Sequence, residues 1–370
     1  MQNVRYYGDD FKFHYGNVHT ENGRITEIEE LSEPAPQNCD ILIPGLIDIH
    51  NHGNSGADFC DGDYEGLVTI AEFLARNGIT SFAPASLTVS EAVLDKAYRT
   101  AAKLHREQPS GAACLRGINM EGPFFSYGKR GAQNPDFLRM PDIEMFKRLD
   151  EAAEGLIKIV DVAPELDGAL DFIGKISRHK TVSIGHTEAG YEETKAAIKA
   201  GATHITHLFN GMEPLHHRAP GPIAAASEAE NVRAELVSDG YHVHPGMVRL
   251  AFKLFGAARI CLISDALSAC GMPEGEYELG GQRVIMKDNL ARLASGSIAG
   301  SATNLFECMR KAISFGIQEE DVVRAVTYNP ACAIGLENKV STISEGKIAD
   351  LVLCDAQWNL KKVYLAGNVI

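Results

Sequence analysis

The sequence predicts an α/β protein: a (β/α)8 TIM-type barrel with a small β-sandwich domain built from both chain termini. Three observations predict it. After residue 43, apolar strand-like runs alternate with helical runs eight times, and such alternation implies a parallel sheet covered by helices. Eight units in about 290 residues suit a closed barrel, whereas an open sheet of the dinucleotide type would need a G-x-G-x-x-G loop that does not follow the first strand. The two ends, residues 1–43 and 338–370, read instead as short strands with turns, too little at either end for a stable core alone but enough for one small β domain together. A chain of 370 residues also exceeds the ~250–300 at which single cores usually stop growing, leaving residues 44–337 for the barrel.

The elements follow in order. "LIDIHNHG" precedes the helical pattern "DYEGLVTIAEFLARNG", which Gly78 ends. "ITSFAPASLT" leads to "SEAVLDKAYRTAAKLHREQ", where Ser90 is a natural helix start. "CLRGINMEGPF" precedes "PDIEMFKRLDEAAEG", "LIKIVDVAPEL" precedes "DGALDFIGKISRH", and "TVSIGHTEAG" precedes "YEETKAAIKAG", ended by Gly201. "THITHLFNGM" runs into a long irregular stretch, "RAELVSDGYHVH" into "PGMVRLAFKLFG", and "RICLISDAL" through a long excursion into "NLFECMRKAISFG".

Composition is that of an ordinary globular protein, with 45% hydrophobic and 23% charged residues. A formal net charge of −14 argues against nucleic acid and acidic membrane surfaces as partners, and obliges any anionic substrate to find a local basic pocket. No run approaches the ~18 apolar residues of a membrane span, and "MQNVRYYGDDFKFHYG" has no apolar signal core. The eight cysteines form no C-x-x-C pair, so they are expected as free, mostly packing thiols in a reducing, cytoplasmic compartment.

Chemistry in such a barrel sits at the C-terminal strand ends. The first strand ends in "IDIHNH", where alternation puts Asp48, His50 and His52 on one side and Ile47 and Ile49 on the other. The third ends in Glu121, the fifth in His186, the sixth in His207 and the eighth in Asp265. Alone, each could be a polar group at a wet rim. Together they would put four imidazoles and two carboxylates in one cavity, a ligand set for Zn²⁺, Fe²⁺ or a similar ion. Such an ion lowers the pKa of a bound water toward ~7, and Asp265 could take and later return its proton; the alternative for Asp265 is a turn or helix N-cap. His204, three residues before His207, is expected to face away and be structural, and His14, His19, His105 and His179 to lie on the surface. The basic "LHHR" at 215–218, directly after the sixth strand, offers Arg218 to an anion such as phosphate, the other reading being a solvated loop.

The ordered motifs "PGLIDIHNHG", "EGPF", "SIGHT", "THLFNGM", "SDGYHVH" and "LISDA" resemble the amidohydrolase superfamily and, within it, the N-acetylglucosamine-6-phosphate deacetylases, over essentially the whole chain. Many superfamily members bridge two metals with a carboxylated lysine on the fourth strand; here Lys158 lies near that strand's start, and the resemblance gives the bridging role to Glu121. It implies one metal held by Glu121, His186 and His207, a second aided by His50 and His52, and Asp265 as general base and acid. It further implies sugar-phosphate contacts from Asn210, Gly211, Arg218 and His242, and pocket contacts from Ala132, Ile298, Ala299 and Gly300. The cofactor implied is Zn²⁺ or Fe²⁺, one or two ions per subunit. The assembly implied is a homodimer in which the Arg218 loop or its neighbours can reach the partner's site. Position 133 is Gln where some members carry His, so a charged group there is absent. Rival readings are an N-acetylgalactosamine 6-phosphate deacetylase, an amidohydrolase acting on a cyclic amide, and a non-catalytic protein that kept the barrel.

Overall fold

The computed structural model describes residues 1–288 and 290–370. Eight parallel strand units succeed one another: Leu46–Asp48, Ile79–Phe82, a third split into Cys114–Leu115 and Ile118–Met120, then Ile157–Val162, Thr181–Ile184, His204–Ile205, Arg233–Val237 and Ile260–Ile263. They pair in sequence order, three in one sheet and six in another, the third unit contributing a piece to each. An isolated parallel bridge between Ala85 and Asn119 joins the two sheets. Past the strand ends the last unit meets the first: Asp265 N donates to His50 O at 2.9 Å and His52 N to Ala266 O at 2.7 Å. This is the wall of a TIM-like barrel.

Each strand unit is followed by a helix. Tyr64–Arg76 shows why: Leu67, Ile70, Ala71 and Leu74 recur at helical spacing and are buried, while the Asp63 side chain caps the first turn from Gly66 N at 2.7 Å. Ser90 caps Glu91–Glu107 as expected, and Gly201, at φ 127°, ends Tyr191–Ala200. The irregular stretch after the sixth strand contains the helix Gly221–Glu228. The excursion after the eighth is a four-stranded antiparallel sheet, Gly275–Leu279, Gln282–Lys287, Leu290–Leu293 and Ile298–Ser301. Its strands have short, mixed-polarity alternation, which a search for βα units passes over.

The chain ends meet in one seven-stranded sheet, with Ile41–Pro44 at its centre between Val4–Tyr7 and Leu351–Cys354. Alternation gives this sheet two buried faces. Ile41, Ile43, Val352 and Cys354 join the large core shared with the barrel helices, while Tyr6, Leu42, Leu351 and Leu353 build a separate core with Val18 and Ile25. The far strand, Arg24–Glu30, returns to the middle of the sheet, since Ile25 N donates to Lys347 O and Ala349 N to Gly23 O, both at 2.9 Å. Among the described residues no helix is long and apolar enough to cross a membrane. All eight cysteines are free, six of them buried.

Candidate metal centre

Regular strand geometry ends just before the chemistry begins. His186, His207 and Asp265 have φ of 47°, 25° and 49°, a left-handed region that non-glycine residues seldom adopt. These turns aim the three side chains at the barrel mouth. Asp265 is therefore a bent strand end, not a helix cap. Asp48 departs from the alternation expected of it. Its carboxylate accepts from Ser264 Oγ at 2.5 Å and His50 N at 3.3 Å, tying the last strand to the first, while His50 and His52 reach the cavity side.

Two ligand-bearing groups converge: Glu121, His186 and His207 in one, His50, His52 and Asp265 in the other. Glu121 lies between them. Its Oε1 is 3.0 Å from His186 Nε2 and 3.2 Å from His207 Nε2, and its Oε2 is 3.4 Å from His52 Nε2. His52 Nε2 is also 3.3 Å from Asp265 Oδ1.

The four imidazoles share one arrangement. Nδ1 of His186 contacts Lys129 O at 2.9 Å, Nδ1 of His207 contacts Asn210 O at 3.1 Å, and Nδ1 of His52 contacts Ala85 O at 3.1 Å. Nδ1 of His50 contacts Glu235 Oε2 at 2.9 Å. Each acceptor requires a proton on Nδ1, so every Nε2 presents its lone pair to the centre. His186 Nε2 and His207 Nε2 stand 3.1 Å apart, and the buried His50 Nε2 has no hydrogen-bond partner. Facing lone pairs repel unless a cation lies between them. Ligands held about 2 Å from one tetrahedral ion keep roughly this mutual spacing. The donor set therefore fits divalent metal.

Burial alone would raise Glu121, but the surrounding imidazoles, His50 first and then His186 and His207, hold its carboxyl well below the ordinary range. Asp265 is likewise lowered: burial opposes ionisation, and the neighbouring imidazoles of His52, His50 and His242 outweigh it. Burial lowers His242, but the Asp239 carboxylate at 2.7 Å, aided by Asp265, more than compensates, so its net shift is upward.

The site opens into a cavity of about 270 Å³. A larger hollow of about 480 Å³ between the terminal sheet and the barrel carries no such cluster. Of the residues expected at the substrate, Ala132, Asn210, Gly211 and His242 line the smaller cavity, and the antiparallel excursion adds Ile298, Ala299 and Gly300. Gly211 has φ of 60°, and a Cβ there would stand 3.1 Å from His186 Nδ1. Arg218 is the exception: it is exposed on a turn closed by the His216–Ala219 bridge and does not line the cavity. Lys158 is the second residue of its strand, at the end away from the site. His105 is half-buried on Leu115 O rather than on the surface.

Several site residues escaped sequence reading. Leu87 and Leu279 line the cavity but carry no chemical signal. Glu235, in the buried strand Arg233–Val237, looks like one polar residue in an apolar run, yet it holds His50. Its own position inside that run was the signal, since a charged group on a core strand needs a partner.

A parallel-strand wall that gathers His, Glu and Asp side chains able to hold a divalent ion around a small cavity is the arrangement of a metal-dependent hydrolase. The chain belongs to the amidohydrolase family, whose model ("Amidohydrolase family") matches residues 41–370. It is 35% identical over 356 residues to the N-acetylglucosamine-6-phosphate deacetylase of Bacillus subtilis (strain 168), covering 95% of this chain and 89% of the relative. It is 32% identical over 351 residues to an N-acetylgalactosamine-6-phosphate deacetylase of Escherichia coli O157:H7, covering 94% and 93%. The crystal structure of N-acetylglucosamine-6-phosphate deacetylase from Thermotoga maritima superposes with a TM-score of 0.92 at 31% identity, covering 100% of this chain and 98% of that one. The Mycobacterium smegmatis deacetylase, an aspartate-to-alanine variant in complex with N-acetyl-D-glucosamine-6-phosphate, gives 0.90 at 31% identity, covering 97% and 94%.

Proposed function

We propose that this chain hydrolyses the acetamide of N-acetylglucosamine 6-phosphate to glucosamine 6-phosphate and acetate. The observation that carries the reading is the convergence of four Nε2 atoms, each fixed by an occupied Nδ1, with Glu121 and Asp265 at one cavity. Glu121, His186 and His207 would hold one Zn²⁺ or Fe²⁺, and His50 and His52, with Asp265, a second. Bound there, a divalent ion polarises the amide carbonyl and makes water acidic enough to supply hydroxide near neutral pH. Asp265, ionised beforehand, accepts the proton of the attacking water and delivers it to the departing amine. His242, paired with Asp239 and 4.0 Å from Asp265 Oδ2, lines the cavity with Asn210 and Gly211, and the three would contact the sugar phosphate.

The finer architecture belongs to this reading: a fully closed (β/α)8 barrel over 44–337, and a two-layer β domain from 1–43 and 338–370. The contacts from Asp265 to His50 and from Ile25 to Lys347 support the two closures. Arg218, exposed outside its own cavity, would serve the partner's cavity in a homodimer, working in the cytoplasm. The test is release of free amine from N-acetylglucosamine 6-phosphate by purified protein, before and after chelation, with Zn²⁺ or Fe²⁺ returned. Metal-dependent turnover is expected, and none with any ion would reject the substrate. The E. coli relative favours N-acetylgalactosamine 6-phosphate as the second reading, separated by running both sugars.

A further inference from the structure

We propose that Glu235 is a positioning residue that couples the two metal-ligand groups through one buried carboxylate. Glu235 is fully buried on the seventh strand, within Arg233–Val237. Its Oε2 takes the Nδ1 hydrogen of His50 at 2.9 Å and the backbone N–H of His207 at 3.2 Å. One oxygen thereby fixes the ring of His50 in one group and the main chain of His207 in the other. Backbone reinforces the link, because Leu208 N donates to Glu235 O at 2.8 Å. The other oxygen, Oε1, lies 3.3 Å from His204 Nε2 without a hydrogen bond between them.

The chemistry follows from that geometry. A carboxylate on Nδ1 keeps the proton there, leaves the Nε2 lone pair free toward Glu121 and Asp265, and makes the ring a stronger donor. His50 Nε2 stands 3.6 Å from Glu121 Oε1 and 3.8 Å from Asp265 Oδ1, too far for hydrogen bonds, so the oriented ring points into the space between the two groups. The other three imidazoles rest on neutral carbonyls, so Glu235 is the one charged anchor among the four.

This rests on reading both groups as metal ligands, and the experiment separates the two ideas. Wild type, Glu235→Gln and Glu235→Leu are stripped with chelator and titrated with Co²⁺, following the ligand-field absorption and the ions bound per chain. Thermal unfolding of the stripped forms reports the fold. Wild type should bind with the absorption of low-coordinate Co²⁺. Glu235→Leu should bind about 10–100-fold more weakly with an altered spectrum. Glu235→Gln, which keeps an acceptor for His50 but not the charge, should recover part of the loss. If Glu235→Leu does not fold, Glu235→Gln decides. Folded variants with wild-type affinity and spectrum would overturn the role of Glu235 while leaving the metal site standing. A wild type that binds no Co²⁺ would overturn both.

Discussion

Gln133 donates from Nε2 to Oε2 of Glu121 at 2.9 Å while its own Oε1 accepts from Thr88 N at 2.7 Å. The two contacts leave the amide only one orientation. A neutral amide thus steadies the carboxylate that lies between the two groups. Gln133→Leu fills the space but frees Glu121 Oε2 and strands the Thr88 amide. Metal affinity should fall about 10–100-fold, as for other groups that hold metal ligands. Titration with Zn²⁺ and kcat/KM at limiting metal would show it, and values within twofold of wild type would reject the role.

Asp265 occupies a left-handed backbone position, φ 49°, with its carboxylate 3.3 Å from His52 Nε2. Asn tolerates that conformation better than most residues, so Asp265→Asn removes the proton acceptor without adding strain. Turnover should drop by about 10²–10⁴-fold with the fold retained. Near-normal kcat in a metal-loaded Asp265→Asn preparation would remove Asp265 from the mechanism.

The side chains that meet at the cavity were legible because each is a His, Glu or Asp at the end of an apolar strand, a placement with few structural causes. Their supports were not. Glu235 and Gln133 act through tertiary contacts 185 and 12 residues away in sequence, and the sequence marks a charged group in an apolar run and an uncharged residue at 133 without saying which side chain either one holds. Asp48 read as lying on the side of His50 and His52 because alternation was carried past Asp48, where the strand stops. The excursion that brings Leu279 and Ile298–Gly300 over the cavity read as a gap, since its short strands lack the βα period.

Removing metal should weaken the fold as well as the activity. His186 Nε2 and His207 Nε2 face each other at 3.1 Å, a contact that a shared ion makes favourable and its loss makes repulsive. Ion at 100 times its Kd contributes about 2.7 kcal/mol to the native state, and chelation should lower Tm on the order of 5 °C. Scanning calorimetry with chelator, then with Zn²⁺ restored, measures it. A Tm indifferent to both additions would mean that no ion binds this state.

Asp58 sets a pH dependence of stability apart from catalysis. The residue is partly exposed, but its Oδ2 is buried without a partner, while Oδ1 caps the turn Phe59–Asp61 from Cys60 N at 2.7 Å. Burial, only partly offset by the charge of His52 and the Cys60 N–H, lifts its carboxyl from 3.8 to about 6. Below 3.8 both folded and unfolded chains carry the proton, and Asp58 contributes no pH dependence. Between 3.8 and 6 the folded chain keeps a proton the unfolded chain has lost, so stability falls as pH rises. Above 6 the full cost remains, at most about 3 kcal/mol for a change of this size. Asp58→Asn keeps an equally good cap and cannot ionise. Urea unfolding of both proteins from pH 4 to 8 should give curves that nearly meet at pH 4 and separate by pH 6.5, the variant being the more stable. A constant difference across that range would show that Asp58 binds protons alike in the folded and unfolded chains, so that burial does not raise its carboxyl.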